Sequence, residues 1–149
     1  MTRTYSIKAK STEYNGILYR SQLEAHWANF FHSLDIPYLY EYKSYRLERG
    51  LVYLPDFHLP LAPYRVVEIK PTSPTKTEIY KCRMLSHQVG KVAIFVGQPS
   101  LDVEVYLFGN GQKKDIKINW LFRLECLAKG VSSKTGVNML KLNMVLRND

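Results

Sequence analysis

Apolar residues recur at helical spacing in three stretches of the chain and at strand spacing between them. Leu23, Trp27, Phe30, Phe31 and Leu34 share one face of a 3.6-residue period, which predicts a helix. Ser21 opens it and Glu24 follows three residues later, the arrangement in which hydroxyl and carboxylate cap each other's backbone N–H groups. Asp35-Ile36-Pro37 ends it, because proline disfavours helix in the residue before it. Residues 38–49, tyrosine-rich and partly alternating, read as one strand, with Gly50 as a turn. Leu51–Leu59 reads as the returning strand, Pro60–Pro63 as a second turn and Tyr64–Lys70 as a third strand ended by Pro71. The stretch from Ser73 to Lys76 opens a second helix with Ile79, Cys82, Leu85 and Val89 inside, closed by Gly90. Val92–Val96 is wholly apolar, as in a strand buried on both faces. Gly97–Pro99 is a turn, and Val103–Phe108 and Asp115–Ile118 read as strands around Gly109-Asn110-Gly111. Asn119 caps a last helix with Trp120, Leu121, Leu124 and Leu127 inside. Residues 1–16 read as polar and extended or irregular, and 137–149 fit strand and helix equally. The order implies an α/β or α+β fold, a central mixed sheet flanked by helices.

Composition narrows the class. The chain has 149 residues, 46% hydrophobic and 23% charged, which suits one globular domain with one core. No repeat, low-complexity tract or linker divides it. No apolar run approaches the ~20 residues that span a bilayer, so no membrane partner is expected. The start, Met1-Thr2-Arg3-Thr4-Tyr5-Ser6, lacks the apolar stretch of a secretory signal. Cys82 and Cys126 have no CxxC spacing, so neither a disulfide scaffold nor a thiolate zinc site is expected, and the cytoplasm is the expected compartment.

The net charge of +8 is unevenly spread. Residues 1–20 carry four basic residues against one acidic, and residues 113–149 eight against three, while 21–112 are balanced at nine each. Basic ends suit a polyanion, because each cation that neutralises a phosphate releases counterions. Lys8, Lys10, Lys113, Lys114, Lys117 and Lys134 are the candidate phosphate contacts there. Lys81 and Gln88, seven residues apart on one face of the second helix, are further candidates for the active site or a DNA backbone.

The neutral middle carries the chemistry. In Val66-Val67-Glu68-Ile69-Lys70, the strand period of two sends Glu68 and Lys70 to one face and Val67 and Ile69 to the other. A carboxylate and an amine between apolar neighbours are costly in a plain core, but sensible beside a cation and a phosphate. Antiparallel pairing of 51–59 with 64–70 brings Asp56 near Glu68. Two converging carboxylates, with the Ile69 backbone carbonyl, suit Mg²⁺, a hard cation that takes oxygen ligands and keeps several waters. The reaction this suits is phosphodiester hydrolysis, with Lys70 orienting water or meeting charge on the phosphate. Glu24 completes the set if the first turn of its helix faces the strand ends.

Tyr53-Leu54-Pro55-Asp56-Phe57 followed by Glu68-Ile69-Lys70 resembles the PD-(D/E)XK nuclease superfamily, the restriction-endonuclease-like fold. Arg20-Ser21-Gln22-Leu23-Glu24 is similar to the helix with which phage-type junction-resolving endonucleases supply a further acidic residue. Small intron-encoded homing endonucleases share the fold. The resemblance covers residues 20–70 well and 71–97 loosely. It implies one nuclease domain over 1–149, with a catalytic core at about 17–97 and a specificity or oligomerisation tail at about 98–149. It implies a Mg²⁺-dependent DNA endonuclease, with Mn²⁺ as a substitute and Asp56, Glu68, Lys70 and Glu24 as catalytic residues. Either site-specific double-strand cleavage or junction resolution fits, as does a DNA-binding protein that kept the fold without catalysis. Cutting both strands favours a homodimer or homotetramer, with tyrosines and Val137–Leu146 as interface.

Plainer roles remain for the same residues. Asp56 also fits a turn, Glu68 and Lys70 an edge ion pair, and Glu24 its cap alone. His26, His32, His58 and His87 lack ligand spacing, and His58 reads as a surface residue. Tyr38, Tyr40 and Tyr42 read as one strand face, packing in the core or an interface. Ser132–Thr135 lacks the Gly-rich strand context of a phosphate-binding loop, so no nucleotide cofactor is expected.

Overall fold

The structure, a computed structural model, describes residues 10–62, 64–100, 103–109 and 112–115. Strands β1 (Thr12–Tyr14) and β2 (Ile17–Tyr19) form a hairpin that leads into helix α1 (Gln22–Ser33). Strands β3 (Leu39–Tyr40), β4 (Tyr45–Arg46), β5 (Val52–Tyr53), β6 (Phe57–His58) and β7 (Val66–Lys70) follow. Helix α2 (Lys76–Val89), β8 (Lys91–Val96), β9 (Glu104–Gly109) and β10 (Gln112–Asp115) complete the described chain.

The main sheet runs β10-β9-β8-β7-β6-β3. Only β7 and β8 are parallel. Parallel neighbours need a crossover, and α2 supplies it. The fold is thus α+β, with a mixed sheet and a helix packed on each face. On one face Val67, Ile69, Ala93, Phe95, Val105 and Leu107 meet Trp27, Phe30 and Phe31 of α1. On the other, Val66, Val92, Ile94 and Phe108 meet Cys82 and Leu85 of α2, with Leu47 and Tyr53 beside them. Both helix stripes expected from spacing face the core, with Leu23, Ile79 and Val89 only partly buried. Trp27 anchors α1. Its ring lies 4.9 Å from that of Phe95, and its Nε1–H donates to the Gly97 carbonyl at 2.8 Å. Among the described residues no helix is long and apolar enough to cross a membrane.

Local expectations are refined. The described part of residues 1–16 is extended rather than irregular, with β1 paired to β2. Asn15 and Gly16 take positive φ (52° and 82°), as the two-residue turn of a tight hairpin requires. Residues 38–49 are not one strand. Glu41 sits at φ 47°, its N–H donating to the Asp56 carbonyl at 2.8 Å, so the chain breaks after Tyr40 and β4 pairs with β5 in a separate ribbon. The return strand is also split. Leu54 and Pro55 lie between β5 and β6, and proline cannot donate to a ladder. The tyrosines divide accordingly, since Tyr38 and Tyr40 pack on the core while Tyr42 is exposed. Of the strand expected at 115–118, Asp115 ends β10, whose residues 112–115 pair with β9, and residues 116–118 lie outside the described residues. The helix expected after Asn119 and the segment 137–149 lie outside the described residues.

Trp27→Ala is expected to cost about 3–5 kcal/mol, the range for deleting a buried aromatic ring. Urea unfolding of the full chain measures it.

Candidate functional site

The site follows from the pairing of two strands. Phe57 faces Val67 and His58 faces Val66 in antiparallel register, so Asp56 stands opposite Glu68. Each carboxylate takes a backbone N–H of the other segment. The Asp56 N–H donates to Glu68 Oε1 at 3.0 Å, and the Ile69 N–H donates to Asp56 Oδ2 at 2.7 Å. Both side chains are buried, Asp56 at 4% and Glu68 at 6% exposure. Lys70, two residues along the same face, brings Nζ to 3.4 Å from Glu68 Oε2. A cleft of about 520 Å³ is lined by Ser11, Arg20, Glu24, Asp56, Glu68 and Lys70, with Ser21 and Ile69. Asp56, Glu68, Ile69, Lys70 and Glu24 are therefore brought together as the sequence implied.

Glu24 does not act as the reciprocal cap. Ser21 Oγ accepts the Glu24 N–H at 3.1 Å, but the Glu24 carboxylate takes the Tyr40 hydroxyl at 2.5 Å instead. Tyr40 Oη in turn accepts the Arg20 N–H at 3.0 Å. The first turn of α1 thus delivers a carboxylate into the cleft rather than to its own backbone. The full capping box belongs to α2, where Thr75 and Glu78 satisfy each other.

Three partners carry no signal in the sequence pattern. Glu78 Oε2 lies 3.0 Å from Lys70 Nζ. Arg20 places Nε 2.6 Å from Glu41 and Nη2 3.8 Å from Asp56 Oδ1. Tyr40 holds Glu24. The T-x-x-E pattern at 75–78 signals a helix start, and nothing local signals its second use on Lys70.

Charge is concentrated here. Burial, then Glu68 and Glu24, push Asp56 well above the usual carboxylate range against the Ile69 N–H and Lys70. Burial alone would depress Lys70, but Glu68, Glu78 and Asp56 outweigh it and hold the ammonium above its ordinary value. Burial and the nearby Glu68 push the Cys82 thiol up to about 12, so it offers no thiolate nucleophile at neutral pH. Among the described residues no group of three or more His, Cys, Asp or Glu side chains is gathered to hold a metal ion alone. The fit to Mg²⁺ rests on two buried oxygen donors whose repulsion a cation relieves, leaving other ligand positions to water and substrate.

Other candidates fall elsewhere. Lys10 is exposed and adjoins Ser11 at the cleft rim. Lys81 does not line the cleft. Gln88 is exposed and lies outside the cleft, and its Nε2 donates to the Arg46 carbonyl at 2.7 Å, tying α2 to β4. His58 is not a surface residue. It is 8% exposed, with Nε2 2.8 Å from the Tyr45 hydroxyl. Lys113 and Lys114 lie on β10, opposite Phe108 and Leu107. Lys8, Lys117 and Lys134 lie outside the described residues. Comparison with protein-family models, curated proteins and solved structures gave no match.

Asp56→Asn keeps an acceptor for the Ile69 N–H and removes the buried charge. Because the folded Asp56 value is raised, its contribution to stability is present below the ordinary carboxylate value and lost as pH rises through the folded one. In EDTA the variant is expected to melt several degrees above wild type at pH 7.5, with the gap closing near pH 4. Thermal melts at the two pH values measure this.

Proposed function

We propose that this chain is a divalent-metal-dependent DNA endonuclease with a restriction-endonuclease-like core. The observation that carries the reading is the convergence of Asp56, Glu68 and Lys70 in one cleft. The arrangement around it also agrees. The strand with Glu68-Ile69-Lys70 is central, with an antiparallel neighbour on one side and a buried parallel strand on the other, reached through a helix. A helix and a buried strand after the motif are what the resemblance implies, so this order supports the reading.

Asp56 and Glu68 are the residues that would hold Mg²⁺ or Mn²⁺. When bound, such an ion polarises a phosphoryl oxygen and lowers the pKa of water in the cleft. The chain supplies the rest. Lys70, kept charged between Glu68 and Glu78, meets the negative charge that grows on the phosphate as water attacks. Glu24, fixed by Tyr40, offers a carboxylate oxygen to orient that water or take its proton. Arg20, 62% exposed above Asp56, is placed to contact the phosphate as it enters.

Supercoiled plasmid is expected to be cleaved in Mg²⁺ and not in EDTA. Lys70→Ala should lose about 10²–10³-fold in rate, the scale for removing one group that stabilises developing charge. Duplex, branched and single-stranded substrates in the same assay separate site-specific cleavage from junction resolution. An inert wild type on all of them contradicts the enzyme and leaves a DNA-binding protein.

One cleft cuts one strand, so double-strand cleavage calls for a symmetric homo-oligomer. Sedimentation of the active protein is expected to show a dimer or tetramer, and a monomer that cuts both strands contradicts this.

A further inference from the structure

A second cavity of about 570 Å³ opens beside the carboxylate cleft, lined by Lys43, Tyr45, Arg46, His58, Arg65 and Gln88 among others. Its charge has the opposite sign. Three cations line it and no carboxylate does. Lys43, Arg46 and Arg65 are all exposed, and among the described residues none of them forms a salt bridge.

The wall is built rather than incidental. The Tyr45 ring stacks on His58 at 5.8 Å and 17°, Tyr42 meets the same imidazole edge-on at 5.2 Å, and Lys43 Nζ lies 5.1 Å from the Tyr45 ring centre. Gln88 fixes the Arg46 backbone. His58 is 8% exposed, and its Nδ1 has no hydrogen-bond partner. A buried polar atom without a partner is uncommon in a finished core.

The two cavities are neighbours. Asp56 lines one and His58 the other, and two residues span at most about 7 Å of chain. Glu41, whose N–H donates to the Asp56 carbonyl, lies in sequence between elements that line the two cavities. Glu41 pairs with Arg20 on the carboxylate side, while Lys43, two residues on, lines the basic side.

We propose that the basic pocket seats a backbone phosphate of the DNA strand whose scissile phosphodiester lies in the carboxylate cleft. The proposal rests on the nuclease reading for the second phosphate, and on the pocket's own chemistry for the first. Cations without internal counter-charges attract an oxyanion and give binding its salt dependence. Lys43 and Arg65 at the basic pocket, with Arg20 at the carboxylate cleft, set the strand across the two.

The test is the affinity of the full chain for a fluorescein-labelled 20-base-pair duplex in EDTA, measured by anisotropy across a salt series. Lys43→Gln with Arg65→Gln is expected to weaken binding roughly tenfold and to lower the salt slope by about 0.9 for each phosphate no longer neutralised. Arg49→Gln with Lys76→Gln removes the same charge from residues that line neither cavity and is expected to change little. Equal losses in both pairs, or no loss in either, would overturn the pocket. The two readings fail separately. A wild type that never cleaves but whose affinity depends on Lys43 and Arg65 removes the nuclease and keeps the pocket. A cleaving wild type whose affinity ignores both residues does the reverse.

Discussion

The antiparallel register of β6 on β7 is the constraint from which the site follows. Shifting that pairing by one residue turns side chains to opposite faces. With Phe57 opposite Val67, Asp56 and Glu68 meet on the face that α2 covers, and each accepts a backbone N–H of the other's segment. These reciprocal bonds hold two like charges together that would otherwise separate. The same register turns Phe57 and Val67 into the core beneath α1, so packing on one face enforces proximity on the other.

That proximity is costly for the isolated protein. Burial and neighbouring carboxylates raise Asp56 against the Ile69 N–H and Lys70. Lys70 is itself shared between Glu68 and Glu78, and Arg20 between Glu41 and Asp56. Such an arrangement is what a site needs when its counter-charge arrives from solution. The adjoining cavity is the complement, with cations that lack acids.

Much of this was legible in the sequence where the signal is periodic or local. The Trp27–Phe30–Phe31 stripe, the Cys82–Leu85 stripe and the apolar run at 92–96 needed only spacing. The convergence of Asp56 with Glu68 and Lys70 needed spacing and one hairpin. The Asn15-Gly16 turn carried its own signal in the dipeptide, and the polar composition around it hid the hairpin. Other features had no local signal. The break at Glu41 depends on a bond to the Asp56 carbonyl, fifteen residues away. Glu24 leaves its cap because Tyr40, brought beside it by β3, offers a better donor. His58 is buried because the β4–β5 ribbon folds Tyr45 over it. Each is set by a partner distant in sequence, which periodicity does not report.

The central claim is that the buried carboxylate pair is a cation site. Isothermal titration of the full chain with Mn²⁺ tests it most directly, beside Asp56→Asn and Glu68→Gln. Saturable binding of wild type, lost in both variants while they remain folded, is the expected result. Heats that never saturate, or binding that survives both substitutions, would contradict it.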